Sequence, residues 1–326
     1  MIINEIFQVA IIGSGQLGSR HLQGLALSES HLKIYVIDPL QSALDTAQSR
    51  YLEMPARHKP HEVIYAIDMD SLPRDLDLVI VATAAQIRRE VIESVLRMRR
   101  VKYFVLEKIV FQATRDLKVV KDLFDSRGVK AWVNCPRRLY SIYTEVKAEL
   151  GKEVISISFS GDNWGMACNS IHFIDLLAFF SEELDMVFDT SQIDDVVYSS
   201  KRPGFSEIKG TLSINTSRGG QLKLMDNDNC PDNSTITITT PSITIIIDEV
   251  NCIITKTLHG VSTEDQVIIP YQSQLTGLLA DSILMEGSSN LVSYDECVRY
   301  HIPMLDAFNL HLSKILKKEV IVCPIT

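Results

Sequence analysis

Three glycines in the stretch VAIIGSGQLGSRHLQGLA, residues 9–26, carry the most specific chemical signal in the chain. Gly13 permits a tight turn, Gly15 lets backbone amides approach a pyrophosphate, and Gly18 lets a helix pack closely on a strand. The turn spans Gln16 and Leu17, follows a β-branched run and precedes a helix-forming stretch. The unpaired N–H groups of that helix's first turn then face the phosphates. Asp38 ends the next β-like run 20 residues beyond Gly18, where a carboxylate accepts hydrogen bonds from the adenosine ribose and repels a 2′-phosphate. The pattern predicts a dinucleotide turn with NAD preferred over NADP.

Two further groups have the right chemistry for a substrate. GDNWGMACNS, residues 161–170, offers Asp162, Asn163, Trp164 and Asn169: amides and carboxylates for sugar hydroxyls and an aromatic face for ring C–H groups, or else a plain β-to-α loop. Arg137 and Arg138 follow Pro136 and serve either an anionic group on the substrate or an ion pair between domains.

The elements that must position these residues follow from periodicity. Up to residue 135 short β-rich runs (QVAII, KIYVID, DLVIVAT, KYFVLE, KAWVN) alternate with QSALDTAQSRY, QIRREVIESVLRM and QATRDLKVVKDLFDSRG, whose apolar residues recur at helical spacing. This alternation predicts a doubly wound parallel sheet, the NAD(P)-binding domain at residues 1–135. After a connecting helix in RLYSIYTEVKAELGK, consecutive β-like runs from EVISISFSG to CIITKTL predict a second α/β domain, residues 136–326, on an open, mostly antiparallel sheet. NDNCPDNS reads as a turn cluster, and two helical segments between Gln272 and Lys318 are expected to pack on this sheet or return to the first domain.

Composition excludes other classes. At 326 residues the chain exceeds what one core usually supports. A net charge of −9, with only short basic pairs such as Arg88-Arg89, argues against a nucleic-acid partner. Six cysteines without metal-ligand spacing predict reduced thiols, no metal site and a cytoplasmic protein. The N-terminus has no basic leader and reads as a first strand, and IHFIDLLAFF is half the roughly 20 residues needed to span a membrane.

VIVATAAQIRREV (79–91), FVLEKIVFQ (104–112), NCPRRLYSIYTEVKAELG, WGMACNSIHFIDLLAFF and LVSYDECVRYHIPMLDAF together make the sequence resemble the Gfo/Idh/MocA family of glucose-fructose oxidoreductase, inositol dehydrogenase and rhizopine-catabolism proteins. The resemblance implies a Rossmann domain, cofactor contacts at Ala82, Thr83, Glu107 and Lys108, and hydride exchange with a sugar, sugar acid or nucleotide sugar. It also implies a homo-dimer or homo-tetramer built through the C-terminal sheet. The family's Glu-Lys-Pro lysine maps onto Lys108, which would stabilise an alkoxide, and its Asp-x-x-x-His histidine onto His172 as the base, with Asp175 three residues on. Two departures stand out. Ile109 replaces the proline and so lacks its φ restraint, and Cys168 replaces the first aspartate, so a thiol stands where a permanent charge would tune the imidazole. Two other readings stay open: an NAD-dependent glycosidase or lyase that recycles its cofactor, and a non-catalytic cofactor-binding protein.

Overall fold

The computed structural model describes residues 6–55, 61–227 and 234–326. The chain forms two compact units: residues 1–111, 118–136 and 270–294, and residues 112–117, 137–269 and 295–326. The turn cluster NDNCPDNS lies largely outside the described residues, as does Cys230.

In the first unit β1 (Ile6–Ile12), α1 (Gln16–Leu25), β2 (His31–Ile37), α2 (Gln41–Leu52), β3 (Glu62–Ala66), β4 (Asp75–Val81), α3 (Ala85–Met98), β5 (Arg100–Leu106), α4 (Thr114–Arg127) and β6 (Lys130–Val133) alternate. The strand order is β17-β6-β5-β4-β1-β2-β3, where β17 (Val292–Ser293) pairs antiparallel and the others pair parallel. Val9, Ala10, Ile11, Ile34, Val36, Leu78, Val79, Phe104 and Val105 are buried completely, as expected of strands covered on both faces. β1 lies between β2 and β4, so the order reverses at its carboxyl end, where such sheets bind ligands.

The later helix α7 (Gln272–Glu286) also belongs to this unit and packs on α1. Close approach needs glycine on both sides. A Cβ on Gly24 would stand 2.6 Å from the Thr276 Cβ, and one on Gly277 would stand 2.7 Å from the Gly24 carbonyl oxygen. Asp281 fixes the register by accepting from the Ser28 hydroxyl (2.6 Å) and the Glu29 amide (2.7 Å).

The second unit is built on an eight-stranded sheet. Its elements are α5 (Ser141–Leu150), β7 (Ser156–Gly161), α6 (Met166–Ser181), β8 (Met186–Ile193), β9 (Tyr198–Ser199), β10 (Ser206–Glu207), β11 (Gly210–Thr216), β12 (Gln221–Asp226), β13 (Thr235–Thr239), β14 (Ile243–Asp248), β15 (Ile253–Leu258) and β16 (Val261–Gln266), and then most of α8 (Tyr294–Leu316). The order is β16-β15-β14-β13-β7-β12-β11-β8, antiparallel except between β7 and β12. Register places Ile157, Phe159, Leu222, Leu224, Ile236, Ile238, Ile245 and Ile247 on one buried face, while Ser158, Thr237 and Lys223 point the other way. α6 covers the apolar face, with Phe173 stacked on Phe159 at 4.4 Å.

The sheets match the alternation and β-rich runs of the sequence. Strands β3 and β16 escape it because both are edges: Glu62–Ala66 is half-buried and every residue of Val261–Gln266 is exposed, so neither carries an apolar alternation. Among the β-like runs between EVISISFSG and CIITKTL, SQIDDVVYSS (191–200) does not form one strand; β8 starts earlier, at Met186, and ends at Ile193 before the two-residue β9.

Candidate active site

The glycine turn has the form its sequence predicts. Gly13 has φ of +91°, and a Cβ there would stand 2.9 Å from the Thr83 amide nitrogen. A Cβ on Gly18 would stand 1.8 Å from the Gly13 carbonyl oxygen, so only glycine fits. Around Gly15, by contrast, nothing lies within 4 Å of an added Cβ. That open space above the first amides of α1 is the approach a pyrophosphate requires. Two buried hydroxyls beside the turn, Ser14 Oγ and Thr83 Oγ1, have no hydrogen-bond partner among the described residues. Such orphans are rare in folded proteins and suit a bound polar group. The residues present therefore fit a dinucleotide.

Asp38 has one oxygen on the Ser14 amide (2.7 Å) and the other on the Leu40 amide (3.0 Å), so it braces the turn as well as following it. Gln16 is exposed and accepts from Arg50 (2.9 Å), whose other nitrogen reaches the Ser19 hydroxyl (2.6 Å). Leu17 is half-buried on the first turn of α1, and the Ala82 amide donates to the Ile12 carbonyl (2.8 Å).

Glu107 and Lys108 follow β5 directly, at the carboxyl edge of the parallel sheet and two strands from the glycine turn. Their surroundings contain residues that the sequence reading did not single out. His21 on α1 is completely buried, its Nε2 donating to Glu107 Oε1 (2.8 Å) while its Nδ1 lies 3.0 Å from Thr276 Oγ1. The Asn134 amide donates to the same Glu107 oxygen (2.6 Å) and to Gln272 (2.9 Å). Burial pushes the Glu107 carboxyl up, but the bonds from His21 and Asn134 and the nearby Arg88 charge outweigh it and hold the group below the ordinary 4.5. Glu107, expected at the cofactor, thus has its carboxylate turned into the protein.

Arg88 is 2% exposed on the first turn of α3, whereas its neighbour Arg89 pairs with Glu93 on the surface (2.7 Å). One signal for Arg88 was present in the sequence. Ala85, Arg88, Ile92, Val95 and Leu96 are the buried residues of α3, so the arginine occupies a position of the apolar stripe.

In the second unit His172 is partly exposed on α6. Asp175, three residues on and placed by its spacing either to orient the imidazole or to bond elsewhere, is completely buried and engaged elsewhere: Arg138 Nη2 lies 2.8 Å from one oxygen, and the Tyr300 hydroxyl donates to the same oxygen at 2.7 Å. Burial pushes this carboxyl up, against the pull of Arg138 and Tyr300. Arg137 likewise does not present an open cation. It makes a two-point pair with Glu249 (2.8 and 2.6 Å), to which Tyr143 also donates (2.6 Å), and all three residues lie within the second unit.

The loop before α6 is more structural than its composition suggests. Trp164 donates to the Met225 carbonyl (2.9 Å) and sits edge-on to Phe159 and Phe173 at 4.9 and 5.4 Å. Asn169 donates to the Trp164 carbonyl (2.8 Å), and exposed Asn163, at φ of +49°, donates its backbone amide to Asp226 (2.9 Å). Where Cys168 replaces a carboxylate, another carboxylate arrives from β10. Glu207 accepts from the Ala167 amide (2.9 Å) and from the amide and thiol of Cys168, and burial pushes its carboxyl up against their pull.

Among the described residues no cluster of three or more His, Cys, Asp or Glu side chains could hold a metal, and no helix is long and apolar enough to cross a membrane.

Fold and turn together define a dinucleotide-binding α/β protein with a second, sheet-based unit. Residues 7–135 match the Gfo/Idh/MocA oxidoreductase family, NAD-binding Rossmann fold, and this part of the chain is an NAD-binding Rossmann domain of that family. No curated protein matches the sequence. Solved structures share the fold over nearly the whole length. An Agrobacterium radiobacter oxidoreductase in complex with NAD⁺, L-tartaric acid and magnesium is 14% identical, with TM-score 0.70 over 92% of this chain and 94% of its own. A putative NADPH-dependent oxidoreductase of Desulfitobacterium hafniense is 15% identical, with TM-score 0.72 over 96% and 97%. UDP-N-acetylglucosamine 3-dehydrogenase of Acidithiobacillus ferrooxidans is 14% identical, with TM-score 0.67 over 98% of each chain.

Proposed function

We propose that this chain is an NAD-dependent dehydrogenase that exchanges hydride with a hydroxyl-bearing carbon of a sugar, sugar acid or nucleotide sugar. The observation that carries the reading is the placement of Lys108 at the carboxyl edge of β5, two strands from an open glycine turn, on a segment fixed by buried polar contacts. An ammonium there stabilises the alkoxide that develops as a carbinol loses its proton. When bound, NAD supplies the hydride acceptor. His172 takes the hydroxyl proton, because imidazole is the one side chain whose ordinary pKa suits a base near neutrality. Asp175, with its bonds to Arg138 and Tyr300, holds α6 and acts on His172 only through that helix.

Asp38 supports NAD over NADP: its carboxylate closes the end of β2 beside the turn and disfavours a 2′-phosphate. The small polar face of the second sheet, with Ser158, Thr237 and Lys223, supports a homo-dimer or homo-tetramer, and cysteines that form no disulfide among the described residues fit a cytoplasmic protein.

The test is NADH formation by the purified protein with NAD⁺ and a panel of sugars, sugar acids and nucleotide sugars. Lys108→Ala and His172→Ala are each expected to lower turnover by roughly 10²-fold to 10⁴-fold while NADH binding, followed by fluorescence, stays nearly unchanged. Turnover that survives both substitutions rules out these roles. Tight NADH binding with no net NADH from any substrate overturns the dehydrogenase reading.

A further inference from the structure

A buried guanidinium is costly unless its N–H groups find acceptors. Arg88 finds them in an unusual place. Its Nη1 donates to the backbone carbonyls of Glu107 (2.6 Å), Val110 (2.8 Å) and Ile109, and its Nη2 donates to the carbonyl of Thr83. Thr83 belongs to the loop after β4 and residues 107–110 to the loop after β5, two neighbouring parallel strands. One side chain therefore ties together the two loops at the carboxyl edge of the sheet.

The pattern brackets Lys108. The carbonyls on either side of it, of Glu107 and Ile109, are held by the same nitrogen, and the Glu107 side chain is anchored separately by His21 and Asn134. Residue 109 is isoleucine, so no ring restrains its φ. Arg88 thus holds the peptide group that precedes Lys108 and the two that follow Ile109 and Val110, so Lys108 lies in a short segment pinned on both sides to α3. Reaching Thr83 with one nitrogen and residues 107–110 with another takes the two separated ends of a planar fork, which the single nitrogen of a lysine at position 88 does not supply.

We infer that Arg88 is a positioning residue that aims the Lys108 ammonium by clamping the carbonyls of residues 107, 109 and 110 to that of Thr83. The geometry stands on the first unit alone, and the catalytic consequence rests on the dehydrogenase reading. A misplacement of about 1 Å in a catalytic group can cost roughly 10² in rate.

The experiment uses the full chain as wild type, Arg88→Lys, Arg88→Met and Arg88→Lys/Ile109→Pro. Methionine removes the buried charge along with the fork, so it guards against a variant that fails merely by leaving an unpaired cation. Two readouts need no substrate: amide hydrogen exchange over residues 107–111, and the pH profile of acetic anhydride labelling at Lys108 followed by mass spectrometry. Arg88→Lys and Arg88→Met are expected to speed exchange over 107–111 but not over β5, and to shift the labelling profile of Lys108. Turnover should fall roughly 10²-fold with KM for the sugar and NADH affinity nearly unchanged, and Ile109→Pro should restore much of it by supplying the φ restraint covalently.

Unchanged exchange and labelling would overturn the inference. So would unfolding of both single variants, or a loss of NADH affinity as large as the loss of turnover, since either would make Arg88 a general structural cation. If the wild type forms no NADH from any substrate, the dehydrogenase reading fails, yet exchange and labelling still decide whether Arg88 positions Lys108.

Discussion

Glu107 and Glu207, one in each unit, are both withdrawn from solvent near a candidate catalytic segment, yet their surroundings drive them in opposite directions. Glu107 receives side-chain donors from His21 and Asn134 and lies near the Arg88 cation, which together hold it ionised. Glu207 receives the Ala167 and Cys168 amides and the Cys168 thiol, all uncharged donors, with Asp226 adding a like charge, and burial pushes it up. The difference teaches that burial alone does not decide the charge of a carboxylate; the kind of its donors and the sign of the charges beside it do. The first segment is built around a fixed anion, and the second around a carboxylate that keeps its proton more readily.

The largest effect that would break this comparison is on stability. Glu107→Ala leaves the buried His21 and Asn134 donors without their acceptor and is expected to cost roughly 2–4 kcal/mol in urea unfolding, while also lowering turnover by disturbing Lys108. Glu207→Ala, which releases two backbone amides at the start of a helix and one weak thiol donor, should cost less, about 1–2 kcal/mol. Equal losses from the two substitutions would mean that the donor sets do not distinguish the sites.

Legibility in the sequence divides along similar lines. Buried parallel strands and their crossover helices announce themselves by apolar runs and helical spacing, and Gly13 and Gly18 by a turn no other residue could make. His21 did not announce itself, and Arg88 only by its place on the apolar stripe of α3, because their meaning lies in partners 86 and about 20 residues away that only folding brings near. Arg88 looked like half of a surface pair. Asp175 shows the reverse case: helical spacing places it one turn from His172, but buried donors from Arg138 and α8 claim its oxygens. Arg137 and Trp164 have compositions suited to substrate, and the fold uses both internally. Glu207 stands 39 residues from Cys168 in sequence, so no motif could show that a carboxylate still reaches that helix start.

A smaller effect appears against pH. Because the folded pKa of Glu107 lies below its ordinary 4.5, its ionised form adds stability that is fully present above that value and is lost as pH falls through the folded pKa. Acid unfolding of the wild type should therefore steepen below pH 4.5, and Glu107→Gln should be less stable at neutral pH yet flatter across the acid range. A parallel slope in the variant would remove Glu107 as the source.

The smallest effect carries the opposite sign. With its folded pKa raised, Glu207 contributes nothing while protonated in both states, and its ionisation costs stability as pH rises from the ordinary 4.5 through the folded value. Glu207→Gln removes that cost, and its amide oxygen can still accept the Ala167 N–H. The variant should thus be as stable as the wild type at low pH and slightly more stable at neutral pH, by about 1 kcal/mol or less. A loss at neutral pH comparable to that of Glu107→Gln would show that Glu207 is held as an anion in the folded protein. The helix start would then carry the permanent charge that Cys168 cannot provide, one turn from His172.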